Sequence, residues 1–290
     1  MMSIKEKGYT HWDGRLESRR FPWTPIMRSG IRLTFKKKFF KLFFFLNLIP
    51  AVVYLAGIYI SERLTDFEFM IRESSMPFKV NPAYFNSFLS GDYLLFMMVM
   101  ILVFAGSGLI ADDLKHNSLQ LYFSRPLKKG DYFMGKTSIV VFFLLIVTLI
   151  PGLILFLMKL VFAGNFKFIQ DYPWLPLSII GYTILVTAFF ACYALFLSSL
   201  SRNSRYVAVM TFGLYLFSDI LYAIFNGIFK KPAFALMSIQ ANLQQIGAAF
   251  FGVKLPYDVP WTYSFGLIVL FCVAAVVFLS KRVRGVEVVR

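Results

Sequence analysis

GSGLIADDLKHNSLQLYFSRPLKKGDYFMGK, residues 106–136, leaves one long apolar run, crosses a charged patch and enters another. The flanking runs, 93–111 and 137–162, are each near the about 20 residues needed to cross a hydrocarbon core about 30 Å thick. A charged connection between two such runs is a short loop held between two membrane spans. Its apolar residues, Leu119, Leu121, Tyr122 and Phe123, cannot all face lipid from so charged a segment. Some of them must face protein.

Four further runs fill the chain: 39–60, 175–200, 206–229 and 261–280. The composition agrees, with 58% hydrophobic residues among 290, a mean hydropathy of +0.68, and the excess gathered into the runs. Lipid offers no partners for backbone polar groups, so such runs become helices. The expected fold is an all-α integral membrane protein with six transmembrane helices spread over residues 39–280.

The formal charge is +15, and its placement sets the orientation. Lys and Arg crowd the leader (Arg19, Arg20, Arg28, Arg32, Lys36, Lys37, Lys38). They recur after the second run (Lys115, Arg125, Lys128, Lys129, Lys136), after the fourth (Arg202, Arg205) and in the tail at 281–290. The alternate loops hold fewer. By the positive-inside rule both termini are cytoplasmic, in a cell membrane. Bases that flank apolar spans are not a nucleic-acid footprint, so that class of partner is excluded. The first apolar run is too long for a signal-peptide core and lacks a small-residue cleavage site, so it is expected to stay in the mature protein.

In the leader, 1–38, and just past it, the residues Trp23, Ile26, Met27, Ile31, Phe35 and Phe39 recur at helical steps with bases between them. The pattern fits an interfacial amphipathic helix among inner-leaflet lipid headgroups; a plain charged anchor for the first span is the alternative. Pro151-Gly152 is expected to bend the third span. Residues 232–252 alternate Leu236, Ile239, Leu243, Ile246 and Phe250 with Gln240, Asn242, Gln244 and Gln245. They predict an external amphipathic helix at, or dipping into, the outer interface. Cys192 and Cys272 fall inside spans, which argues against a disulfide framework or metal site.

The loop at 112–136 carries a recognisable pattern: Ile110-Ala111-Asp112-Asp113, Asn117-Ser118-Leu119, Ser124-Arg125-Pro126, Lys128-Lys129 and Gly135-Lys136. In it the chain resembles the permease of type-2 ATP-binding-cassette (ABC) transporters. There the second span is followed by Ile-Ala-acid-Glu, Gly-Thr-Leu, Leu-Ser-x-Pro, a basic residue and Gly-Lys. The departures are Asp113 for Glu, Asn117 for Gly and Ser118 for Thr. Asn is the best replacement for Gly where a left-handed backbone is wanted. The resemblance implies a cytoplasmic coupling helix that docks on a separate ABC ATPase subunit, with Asp112, Asp113, Leu119, Ser124, Arg125, Pro126, Gly135 and Lys136 as its coupling residues. It also implies a leader helix that touches the same partner, a second permease copy in a dimer, and ATP and Mg bound by the partner. This chain would hold no cofactor and would not be an enzyme by itself. Export is the expected direction.

Residues 130–137, GDYFMGKT, match the phosphate-loop expression letter for letter. That expression has meaning only between a strand and a soluble helix. Here an apolar span follows, and the match is read as coincidence. Asp219 lies about midway along the fifth span, where a charge costs roughly 2.5–3.5 kcal/mol on insertion scales. It is expected to face the bundle or water, as part of a substrate path or as a structural acid beside Ser218 and Tyr215. Lys41 and Lys159 lie near span ends and are expected to snorkel. Met97, Met98 and Met100 are expected to pack. A second functional class stays open from these residues: a non-transporting membrane scaffold that recruits a cytoplasmic partner through its basic leader and loop.

Overall fold

The computed structural model describes residues 21–63, 80–123, 127–164 and 166–282, except the side chains of Gln120, Leu121 and Phe123. Among them every regular element is helical. Six helices are long and apolar enough to cross a membrane: Lys38–Glu62, Pro82–Lys115, Lys129–Ala163, Leu175–Leu200, Ser204–Phe229 and Trp261–Arg282. The chain is a multi-pass membrane protein.

Helix α1 (Thr24–Phe35) precedes the first span, which is split into α2 (Lys38–Leu46) and α3 (Ile49–Glu62). The second span comprises α4 (Pro82–Leu89), α5 (Asp92–Ala105) and α6 (Gly108–Lys115), followed by the short α7 (Ser118–Phe123). The third comprises α8 (Lys129–Val147) and α9 (Leu149–Ala163); α10 (Lys167–Asp171) follows. The fourth and fifth are unbroken: α11 (Leu175–Leu200) and α12 (Ser204–Phe229). A 3₁₀ turn (Pro232–Met237) and α13 (Ile239–Phe250) lead to the sixth, α14 (Trp261–Arg282).

The breaks have local causes. Proline has no N–H and its ring crowds the carbonyl four residues back. Pro50 and Pro151 therefore end the preceding helices at Leu46 and Val147. The bend expected at Pro151-Gly152 is thus expressed one turn earlier, at Thr148. Its hydroxyl donates to the Leu144 carbonyl at 2.7 Å.

Burial divides the bundle. The apolar windows of spans two, three and four are 67%, 56% and 61% buried, against 17%, 17% and 22% for spans one, five and six. Spans two to four form the core, with Leu95, Met98, Leu102, Phe143, Leu144 and Phe190 inside it. Met98 is fully buried packing, as expected. Lys159 differs from expectation. Its ammonium meets the Glu62 carboxylate and lies 5.2 Å from the centre of the Phe168 ring. Its aliphatic stem leads to an acid on the first span, so it is paired rather than snorkelling alone.

Candidate functional site

Asp112 and Asp113 do not open a loop. The second span runs on to Lys115, so both sit in its last turns, on α6. Asp112 is exposed and Asp113 half-buried. His116 and Asn117 form the corner into α7. Asn117 takes φ +51°, the left-handed conformation in which Asn best replaces the pattern's Gly. Leu119 is half-buried on α7. Ser124, Arg125 and Pro126 lie outside the described residues, and so do leader residues 1–20.

Asp113, Gly135 and Lys136 are brought together. Lys136 Nζ is 2.6 Å from Asp113 Oδ2, and the Tyr132 hydroxyl donates to the same oxygen at 2.7 Å. Tyr132 is fully buried and Lys136 is 8% exposed. The ammonium also lies 5.7 Å and 5.5 Å from the ring centres of Tyr122 and Tyr132. A buried charge needs a partner; here the Asp113 carboxylate supplies it and two aromatic faces flank the ammonium. The contact ties the second span, α7 and the third span into one unit. Burial, then the nearby Asp113 carboxylate, raise the Tyr122 phenol above its usual pKa of 10.0.

Gly135 serves another neighbour. A Cβ there would stand 2.8 Å from Ile26 Cβ and 3.1 Å from the Trp23 carbonyl oxygen. The bare backbone of α8 is what lets the leader helix α1 lie against it. Gly30 on α1 reciprocates, since a Cβ there would stand 2.1 Å from Ile139 Cδ1. Ile26 and Thr34, one turn to either side of Gly30, are buried. The inward stripe of α1 is therefore Ile26, Gly30 and Thr34. Counting only large apolar residues hid this face, because two of the three are small or polar.

Lys37, just beyond α1, donates to the Phe104 carbonyl at 2.8 Å. Burial holds its ammonium below the usual 10.5, partly offset by Asp112. A cleft of about 220 Å³ runs between α1, α5, α6 and the start of α8, lined by both acids, Lys37, Tyr122 and Lys136. Residues 130–137 all lie within α8. A phosphate loop needs a non-helical cradle, and a continuous helix does not provide one.

Asp219 stands apart from this cluster. It is half-buried, on α12, and accepts from the Ser238 hydroxyl. Ser238 also caps α13 by accepting from Ala241 N at 2.9 Å. The Ile239 amide donates to Ser218 Oγ at 3.1 Å. The polar face of α13 is taken up by protein. Tyr215 donates to Gln240 at 2.8 Å, Gln240 donates to Asp92 at 2.6 Å, and Gln245 donates to the Tyr257 carbonyl at 2.9 Å.

Fold and site together describe a polytopic helical membrane protein whose leader helix, second span and third span are fastened together at one end. A family model described as ABC-2 family transporter protein matches residues 6–280, and the chain belongs to that family. It is a permease of type-2 ABC transporters, the membrane subunit of such a transporter. No curated protein matches it.

Proposed function

We propose that this permease works with a separate ABC ATPase that docks on α7 and the leader, and that ATP-driven closure of the ATPase pushes spans two and three. The carrying observation is the fastening of α6 to α8 at Asp113, Tyr132 and Lys136, with Tyr122 of α7 packed against the Lys136 ammonium and the Tyr132 ring. A push on α7 from outside the membrane is delivered to two spans at once. ATP and Mg belong to the ATPase, and two permeases form the path between them. The concentration of bases in the leader, in the loop after the second span and in the tail supports a cytoplasmic side for both termini, in a cell membrane. Export is the direction this reading adopts.

Copurification of the tagged permease from membranes tests it. A soluble ATPase should accompany the native chain. A cross-linker placed at Leu119 should capture it, and one placed at Trp174, at the opposite end, should not. Recovery of a cytoplasmic partner without ATPase activity would favour a scaffold.

A further inference from the structure

The second span is interrupted at residues 105–108, immediately before its acid pair. Gly106 N and Ser107 N both donate to the Leu102 carbonyl, at 2.7 Å and 3.1 Å, while Leu109 N reaches only three residues back, to Gly106, at 3.2 Å. A wide turn followed by a tight one slips the helical register, and such irregular turns mark hinges. The slip frees backbone groups in mid-helix, which must find partners outside it.

Two other elements supply them. Lys37, beside the leader helix, donates to Phe104 O at 2.8 Å. Ser198 on α11 serves three groups: its hydroxyl donates to Ser107 O at 2.9 Å and accepts from Ile110 N at 2.9 Å and Ala111 N at 3.0 Å. A hydroxyl has one donor and two acceptor sites, so Ser198 is filled, and it is fully buried. Gly106 is needed here: a Cβ would stand 2.8 Å from the Leu102 carbonyl oxygen and 2.9 Å from Ala194 Cβ. The cleft borders the same turn, lined by Ala105, Gly108, Leu109 and Lys37, and leaves room on the leader side.

We propose that residues 105–108 form the flexing joint of the second span and that Ser198 is the positioning residue that holds it in the bent arrangement. The segment at 109–123 then swings as a unit against α5, carrying Asp113 and the third span with it. A turn that draws its hydrogen bonds from neighbouring helices bends without breaking its own ladder. This proposal rests on the reading of α7 as the ATPase dock.

The test uses the permease–ATPase complex in lipid nanodiscs, with Cys192 and Cys272 replaced by alanine. Spin labels go on Lys115 and Arg202, across the joint, and on Tyr93 and Trp174 as a reference pair at the far end; all four positions are exposed. A non-hydrolysable ATP analogue should move the Lys115–Arg202 distance by about 2 Å or more, the scale of helix shifts in switching proteins. The reference distance should hold. Ser198→Ala, which strips all three bonds, should populate the shifted distance without nucleotide. Should that variant not fold, amide exchange in the native chain decides, with Ile110 and Ala111 expected to exchange about tenfold faster once the analogue binds. ATP hydrolysis with both the distance and the exchange unchanged overturns the joint and leaves the subunit reading standing. Failure of any ATPase to copurify overturns both.

Discussion

Asp113, in the last turns of the second span, and Lys136, in the second turn of the third, meet at 2.6 Å with 13% and 10% of their side chains exposed. Two helices that the chain separates by a whole loop are thus joined by charge. The pair accounts for two separate pieces of the sequence pattern, the acid at its start and the lysine at its end. Gly135, beside that lysine, does a different task by seating the leader.

Breaking the pair from one side should be severe. Asp113→Asn leaves Lys136 charged, buried and facing an amide, and loss of one member of a buried pair costs about 3–5 kcal/mol. Asp113→Asn combined with Lys136→Met should recover much of that. Thermal unfolding of the two variants in detergent checks the order: the double variant should melt above the single one.

Gly135→Ala should dislodge the leader helix. The new methyl meets Ile26 and a main-chain oxygen, and overpacking of this kind costs about 1–3 kcal/mol. Gly30→Ala meets the Ile139 side chain but no main-chain atom of another helix closer than 3.7 Å, so it should cost less. Limited trypsin cleavage at Arg28 and Arg32 reports the difference and should rise more for Gly135→Ala.

Position 117 should accept glycine and resist valine. Its φ of +51° costs an ordinary L-residue about 1–2 kcal/mol. Asn117→Gly should melt close to the native protein, and Asn117→Val below it.

Asp219→Asn should express and fold, because an amide oxygen still accepts from Ser238. Asp219→Ala removes the acceptor and should lose about 1 kcal/mol, a typical hydrogen bond. If the acid lies on the transport path, Asp219→Asn should also lower ATP turnover in the complex. Unchanged turnover would assign it to structure.

Stability should fall at alkaline pH through Tyr257. Burial, followed by Tyr222 and the acids Asp92 and Asp219, pushes its phenol up from 10.0 to about 12. A raised value means that the folded state holds the proton more tightly, so the stabilisation is complete below pH 10 and is lost between 10 and about 12. Tyr257→Phe should flatten the melting temperature over that interval relative to the native chain.

The six spans and the bend near Pro151 were legible from residue order alone. Each depends on local physics: apolar length against bilayer thickness, and a missing N–H. The left-handed corner at Asn117 was hinted at only by the family's Gly at that place. The family pattern was equally legible, because its residues lie within one stretch of 31 positions, 106–136. The polar face of α13 was legible as a pattern, but its neighbours were not. Asp92, Tyr215 and Tyr257 approach it from three different parts of the chain.

Composition and spacing determined that this chain crosses a membrane six times, and the charges flanking those crossings predict which way round. Only the tertiary structure decided that Lys136 answers Asp113, that Gly30 and Gly135 let two helices touch, and that Ser198 completes a broken turn 87 to 91 positions away. The division follows from range. Helix formation and partition into lipid act on consecutive residues, whereas a buried charge or a freed amide is satisfied by whatever group the packed bundle brings within about 3 Å.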